Sequence, residues 1–148
     1  MDNQKIAKQF LSAIEKNDFN KAESLLAADF KFTGITSEPL DMKESIRLYK
    51  VFAKSFPDFK FNPKFINEHG EYVELTISLT GNQQEDMPGE LKMFKSLPHY
   101  IALPEEKVEI IVDKGKIESM NFHVVKDEGI VGLFKMMGFF TPLDEKYP

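Results

Sequence analysis

The dominant hydrophobic period of this chain changes at Pro57, and that change constrains the fold more than any single motif. Before Pro57 most apolar residues recur at helical spacing. After it they alternate with polar ones, as in strands with one buried face. Helices gathered early and strands gathered late indicate an α+β fold, not a parallel sheet joined by crossover helices.

In the first half, Ile6, Phe10, Ala13 and Ile14 trace one stripe of a helix over residues 3–16, which Asn17-Asp18 breaks. Asn20 and Glu23 have the spacing of a capping box and predict a short helix running through Leu25 and Leu26. Phe30-Lys31-Phe32-Thr33-Gly34 alternates as a short strand. Asp41 and Glu44 repeat the capping spacing ahead of Ile46, Tyr49, Phe52, Ala53 and Phe56, a third helix that Pro57 ends.

In the second half, Phe59, Phe61 and Phe65 alternate with polar residues, with Pro63 marking an edge or a bulge. Glu68-His69-Gly70-Glu71 predicts a turn, and Tyr72 to Thr80 a half-buried strand. Further strands are expected at Tyr100 to Leu103, at Val108 to Val112 and, after the turn Asp113-Lys114-Gly115-Lys116, from Ile117 to Val125. A final helix is expected through Ile130, Leu133, Phe134 and Met137 to Gly138. No linker or repeat interrupts the pattern, so one domain over 1–148 is expected.

Composition narrows the functions open to such a chain. A net charge of −5, with no basic cluster, argues against a nucleic-acid partner. The absence of cysteine excludes thiolate chemistry and cysteine-held metal. The three histidines, at 69, 99 and 123, have no metal-ligand spacing, so no metal site is expected. There is no phosphate loop or nucleophile elbow. No apolar run approaches membrane-spanning length and no signal-peptide pattern is visible, so no membrane association and a cytoplasmic location are expected. Fourteen Phe and seven Met predict a bulky core or an apolar pocket.

Several short segments together resemble a known family. They are Ser55-Phe56-Pro57-Asp58-Phe59 at the helix-to-strand junction, Glu68-His69-Gly70-Glu71-Tyr72-Val73, and Leu79-Thr80-Gly81. The turn Asp113-Lys114-Gly115-Lys116-Ile117 and the tail Gly132-Leu133-Phe134-Lys135-Met136-Met137-Gly138 complete the set. In order and spacing they are similar to the SnoaL-like polyketide cyclases of the nuclear transport factor 2-like superfamily. The resemblance implies a cone-shaped α+β barrel, N-terminal helices packed on a curved antiparallel sheet, with a ligand site inside the cone. It also implies a homodimer, with the outer sheet face at Thr76, Ser78, Asn121 and His123 as the interface, and cofactor-free acid–base chemistry as a lyase, isomerase or cyclase. The chain departs from the family where many members carry Arg-Trp, here Thr76-Ile77, and Trp-Asp, here Asn121-Phe122. A further acid of relatives is replaced by Val125.

The candidate catalytic residues are His123, Tyr49 and Asp58. Histidine trades protons near neutral pH. However, alternation sets His123 with Ser119 and Asn121, opposite Met120, Phe122 and Val124. Tyr49 lies on the apolar stripe of the third helix, where its hydroxyl needs a partner that a ligand or water can supply. Asp58 sits in the best-matching motif, where a turn-stabilising role competes with a catalytic one. Phe52, Phe56, Tyr100, Met120, Phe122 and Phe134 are expected to line a pocket for a small, mostly apolar molecule. A non-catalytic binding or dimerisation module is the alternative reading.

Overall fold

The computed structural model describes residues 3–34, 38–82 and 100–123. The elements are α1 (Asn3–Glu15), α2 (Phe19–Ser24), β1 (Leu26–Thr33), α3 (Met42–Ser55), β2 (Lys64–His69), β3 (Tyr72–Ile77), β4 (Thr80–Asn82), β5 (Tyr100–Ala102), β6 (Glu106–Asp113) and β7 (Lys116–His123). The expected final helix, with Phe134, and the expected strand residues Val124 and Val125 lie outside the described residues.

The first helix buries Ile6, Ala7, Phe10, Leu11, Ala13 and Ile14 and ends in a left-handed turn. Asn17 takes φ 61°, its N–H donates to Ile14 O, and the Asp18 N–H donates to Ala13 O at 2.8 Å. This pairing closes the last carbonyls of α1. Asp18 then caps α2 by accepting from the Lys21 N–H. The expected box at Asn20 and Glu23 is therefore corrected: the tight exit from α1 leaves Asp18 already placed as the cap, and the helix starts earlier. It also ends earlier, since Leu26 begins a strand.

The cap of α3 is as expected. The Glu44 N–H donates to Asp41 Oδ1 at 2.9 Å, and the Asp41 N–H donates to Glu44 Oε1 at 3.0 Å. Two otherwise unsatisfied donors are thereby bonded.

The main sheet has the order β1-β7-β6-β3-β2. Its neighbours are antiparallel except β1 and β7, which run parallel. The sheet is thus mixed at that edge, not wholly antiparallel. A parallel pair needs a long connection, and here the whole chain between β1 and β7 supplies it.

The expected strand from Tyr72 to Thr80 divides. Through Ile77 it pairs with β6. Beyond that, the Ser78 N–H donates to Phe61 O, Lys60 and Thr80 exchange backbone bonds, and β4 pairs with β5 in a second, two-stranded sheet. A uniform alternation carries no mark of a change of partner. The segment Phe59 to Pro63 is not a strand either: Lys60 makes an isolated bridge to Thr80, Asn62 takes φ 49°, and Pro63 offers no donor.

Alternation decides which side chains enter the cone. Val73, Leu75 and Ile77 on β3, Val108, Ile110 and Val112 on β6, Met120 and Phe122 on β7, and Phe30 and Phe32 on β1 are all buried. Helices α1 and α3 cover this face with Phe10, Tyr49, Phe52 and Phe56. Each fully buried Phe contributes roughly 1.5–3 kcal/mol. Gly34 marks where the sheet's edge is tightest. It takes φ 102°, and a Cβ there would lie 2.1 Å from Phe122 O.

Candidate ligand-binding site

Tyr49 lies within the buried core between α3 and the sheet. The stripe that buries α3 carries it inward, to 5% exposure. Edge-on contacts with Phe10, Phe32 and Phe61, at centroid separations of 6.1, 6.1 and 6.3 Å, hold its ring. Its hydroxyl donates to Met120 Sδ at 3.9 Å. A thioether is a weak acceptor, so the strongest donor in this interior has a poor partner. Burial pushes the Tyr49 hydroxyl far above its ordinary pKa, which keeps it protonated and able to donate.

Four of the residues expected to line a pocket, Phe52, Phe56, Met120 and Phe122, share the buried core cluster that contains Tyr49. Phe122 stacks on Phe32 at 5.2 Å, Phe52 stacks on Phe56 at 5.0 Å, and Phe59 stands edge-on to both Phe52 and Phe61. Phe52, Phe56, Met120 and Phe122 are buried on this side. Tyr100 opens β5, though its side chain is outside the described set, and so is Phe134.

The other two catalytic candidates are elsewhere. His123 faces outward at the end of β7, its Nε2 2.7 Å from Glu109 Oε1. Glu109 is also bonded to Tyr72; desolvation would raise its pKa, but Tyr72, His123 and Lys107 outweigh that and lower it. Lys107 pairs with Glu74 at 2.5 Å, and Thr33 donates to Asn121 at 2.7 Å. The outer sheet face is a polar network in which His123 has no path to Tyr49 through the sheet. Asp58 is exposed and receives both the Asn82 N–H and the Asn82 amide, each at 2.8 Å. Those bonds hold its carboxyl below the usual range and tie the α3 exit to β4.

Two groups escaped sequence reasoning. Glu106 shares the inward register of Val108, Ile110 and Val112, pairs with Ile77, and is half-buried. Extending the β6 alternation by one step would have found it. Glu71, Asp113 and Glu118 bring three carboxylates within 4.8 Å of one another at the hairpin end of the sheet. Burial, then Asp113, Asp29 and Glu71, raise the pKa of Glu118. Among the described residues this trio could hold a cation together, although no metal-ligand spacing reveals it in the sequence, because it joins two separate turns. An open cleft of about 600 Å³ on the outer side of α1, lined by Lys5, Lys8, Lys16, Lys21 and Asp18 among others, does not include Tyr49 in its walls. Among the described residues, no helix is long and apolar enough to cross a membrane.

No family model matches the chain, and no curated protein matches it. Solved structures do. AclR of Streptomyces galilaeus, a provisionally assigned hydroxylase, superposes with a TM-score of 0.70 at 16% identity over 93% of this chain and 96% of that one. IdmH of Streptomyces antibioticus, a provisionally assigned polyketide cyclase, gives 0.67 at 14% identity over 82% and 91%. A provisionally assigned SnoaL-like polyketide cyclase from Jannaschia sp. CCS1 gives 0.64 at 13% identity over 81% and 83%. At these identities the likeness is one of fold, and reaction does not follow from it. The chain has the same fold as these SnoaL-like and nuclear transport factor 2-like proteins, the fold that its short motifs implied.

Proposed function

We propose that this chain binds a small, mostly apolar carbonyl compound inside the cone, with the Tyr49 hydroxyl donating to the carbonyl oxygen. The observation that carries the reading is the poor partner of that hydroxyl, Met120 Sδ at 3.9 Å, within a shell of phenylalanine rings. A carbonyl is a better acceptor than a thioether, so a ligand gains a hydrogen bond that the empty protein makes only weakly. The likeness to polyketide cyclases supports a carbonyl-bearing ligand without naming it.

The test follows the Met120 methyl group by NMR during titration with naphthyl methyl ketone. A saturable shift of that methyl, lost in Tyr49→Phe, is the expected result. No shift at Met120 up to the solubility limit of the ketone would overturn the reading.

Glu106 also shares the inward register of β6, but it lies four residues along the strand from Ile110, which pairs with Met120, or roughly 13 Å. That is too far to remove a proton beside a carbonyl held by Tyr49, so binding is the reading that the geometry supports. The outer face with Thr76, Asn121 and His123 is, on the same analogy, proposed as the contact between two copies of the chain.

A further inference from the structure

We infer that Ser45 is a second ligand-contacting hydroxyl in the cone and helps set ligand specificity, an inference that rests on the reading of Tyr49 given above. Ser45 is fully buried, at 0% exposure, and its Oγ has no hydrogen-bond partner among the described residues. A helical serine ordinarily returns its hydroxyl to the carbonyl one turn back. Here the Asp41 carbonyl accepts the Ser45 N–H at 3.0 Å, and among the described residues Oγ has no partner.

Its position on α3 is as telling as its isolation. At about 100° per residue, Ser45, Tyr49, Phe52 and Phe56 fall within roughly 60° of one another around the helix. All four are buried, so Ser45 stands in the middle of the face turned to the sheet, not at its margin. Its Cα is one turn from that of Tyr49, about 6 Å along the axis. Alanine would fill this place without burying a polar atom.

The helix thus presents two hydroxyls, one turn apart, to an interior otherwise built of Phe10, Phe32, Phe61 and Met120. A molecule whose carbonyl meets Tyr49 turns the same edge toward Ser45. The ligand class that fits is an apolar ring system with two oxygens on one edge, one for each hydroxyl.

The experiment compares three probes: naphthyl methyl ketone and its hydroxylated analogues, with the hydroxyl on the same edge as the acetyl group or on the opposite edge. Dissociation constants are measured for the native chain and for Ser45→Ala. The native chain should prefer the same-edge analogue over the parent ketone by about three- to tenfold, the worth of one neutral hydrogen bond. Ser45→Ala should lose that preference, binding the same-edge analogue no more tightly than the parent ketone, and should melt no lower than the native chain. A preference that survives Ser45→Ala overturns the inference but leaves the Tyr49 reading intact. A lower melting temperature for Ser45→Ala would also overturn it, by showing a structural partner for the hydroxyl. If no probe binds the native chain, both readings fall.

Discussion

Replacing Tyr49 by Phe removes one oxygen and leaves the ring, so it measures what the hydroxyl does for the protein alone. The three edge-on contacts with Phe10, Phe32 and Phe61 are kept. What is lost is a hydrogen bond to sulfur at 3.9 Å, worth at or below the lower end of the usual range, about 0.5 kcal/mol. What is relieved is the desolvation of a buried hydroxyl with a poor partner, about 1–3 kcal/mol. The balance predicts that Tyr49→Phe is more stable than the native chain by about 1 kcal/mol. Urea denaturation followed by circular dichroism reads this as a higher midpoint at an unchanged slope. Tyr49→Ala, which removes the ring as well, should instead cost about 3–5 kcal/mol. The reasoning is refuted if Tyr49→Phe loses more than about 1 kcal/mol, for the hydroxyl would then be well satisfied within the fold. A stabilised variant that no longer binds the ketone would show a hydroxyl kept for its ligand at the expense of stability.

Other expectations follow from single contacts. Gly34→Ala must place a Cβ 2.1 Å from Phe122 O at φ 102°, so thermal unfolding should show a loss of at least about 2 kcal/mol; a smaller loss would mean the β1–β7 edge can shift freely. Asp41→Ala removes the cap of α3 and should cost about 1 kcal/mol in the same assay, with no change in the unfolding slope. Glu118 has a raised pKa from burial and from Asp113, Asp29 and Glu71, so its charged form is disfavoured in the folded state. Its stabilising share is present at low pH and lost as pH rises through the folded pKa; Glu118→Gln should therefore be the more stable protein at neutral pH and lose that advantage in acid. A pH-independent difference would contradict the cluster. Size-exclusion chromatography with light scattering at micromolar concentration should show two copies per particle, and a monomer would remove the outer-face contact.

The order and type of most elements were legible from local periodicity and local chemistry alone. The Asp41–Glu44 box, the stop at Pro57 and the inward set Val108, Ile110, Met120 and Phe122 needed no knowledge of distant residues. Alternation likewise set His123 on the side opposite Met120 and Phe122, and the burial of those two in the structure is what turns it outward. Tertiary structure decided what depends on which neighbour a segment meets. Only it could split the run from Tyr72 to Thr80 between two sheets, set β1 parallel to β7, or take Asp58 out of the cone by giving both its oxygens to Asn82. Only it could show that Tyr49 has a thioether for a partner and Ser45 none among the described residues. Burial is a property of position along one element, whereas satisfaction of a buried hydroxyl depends on atoms brought in from several others.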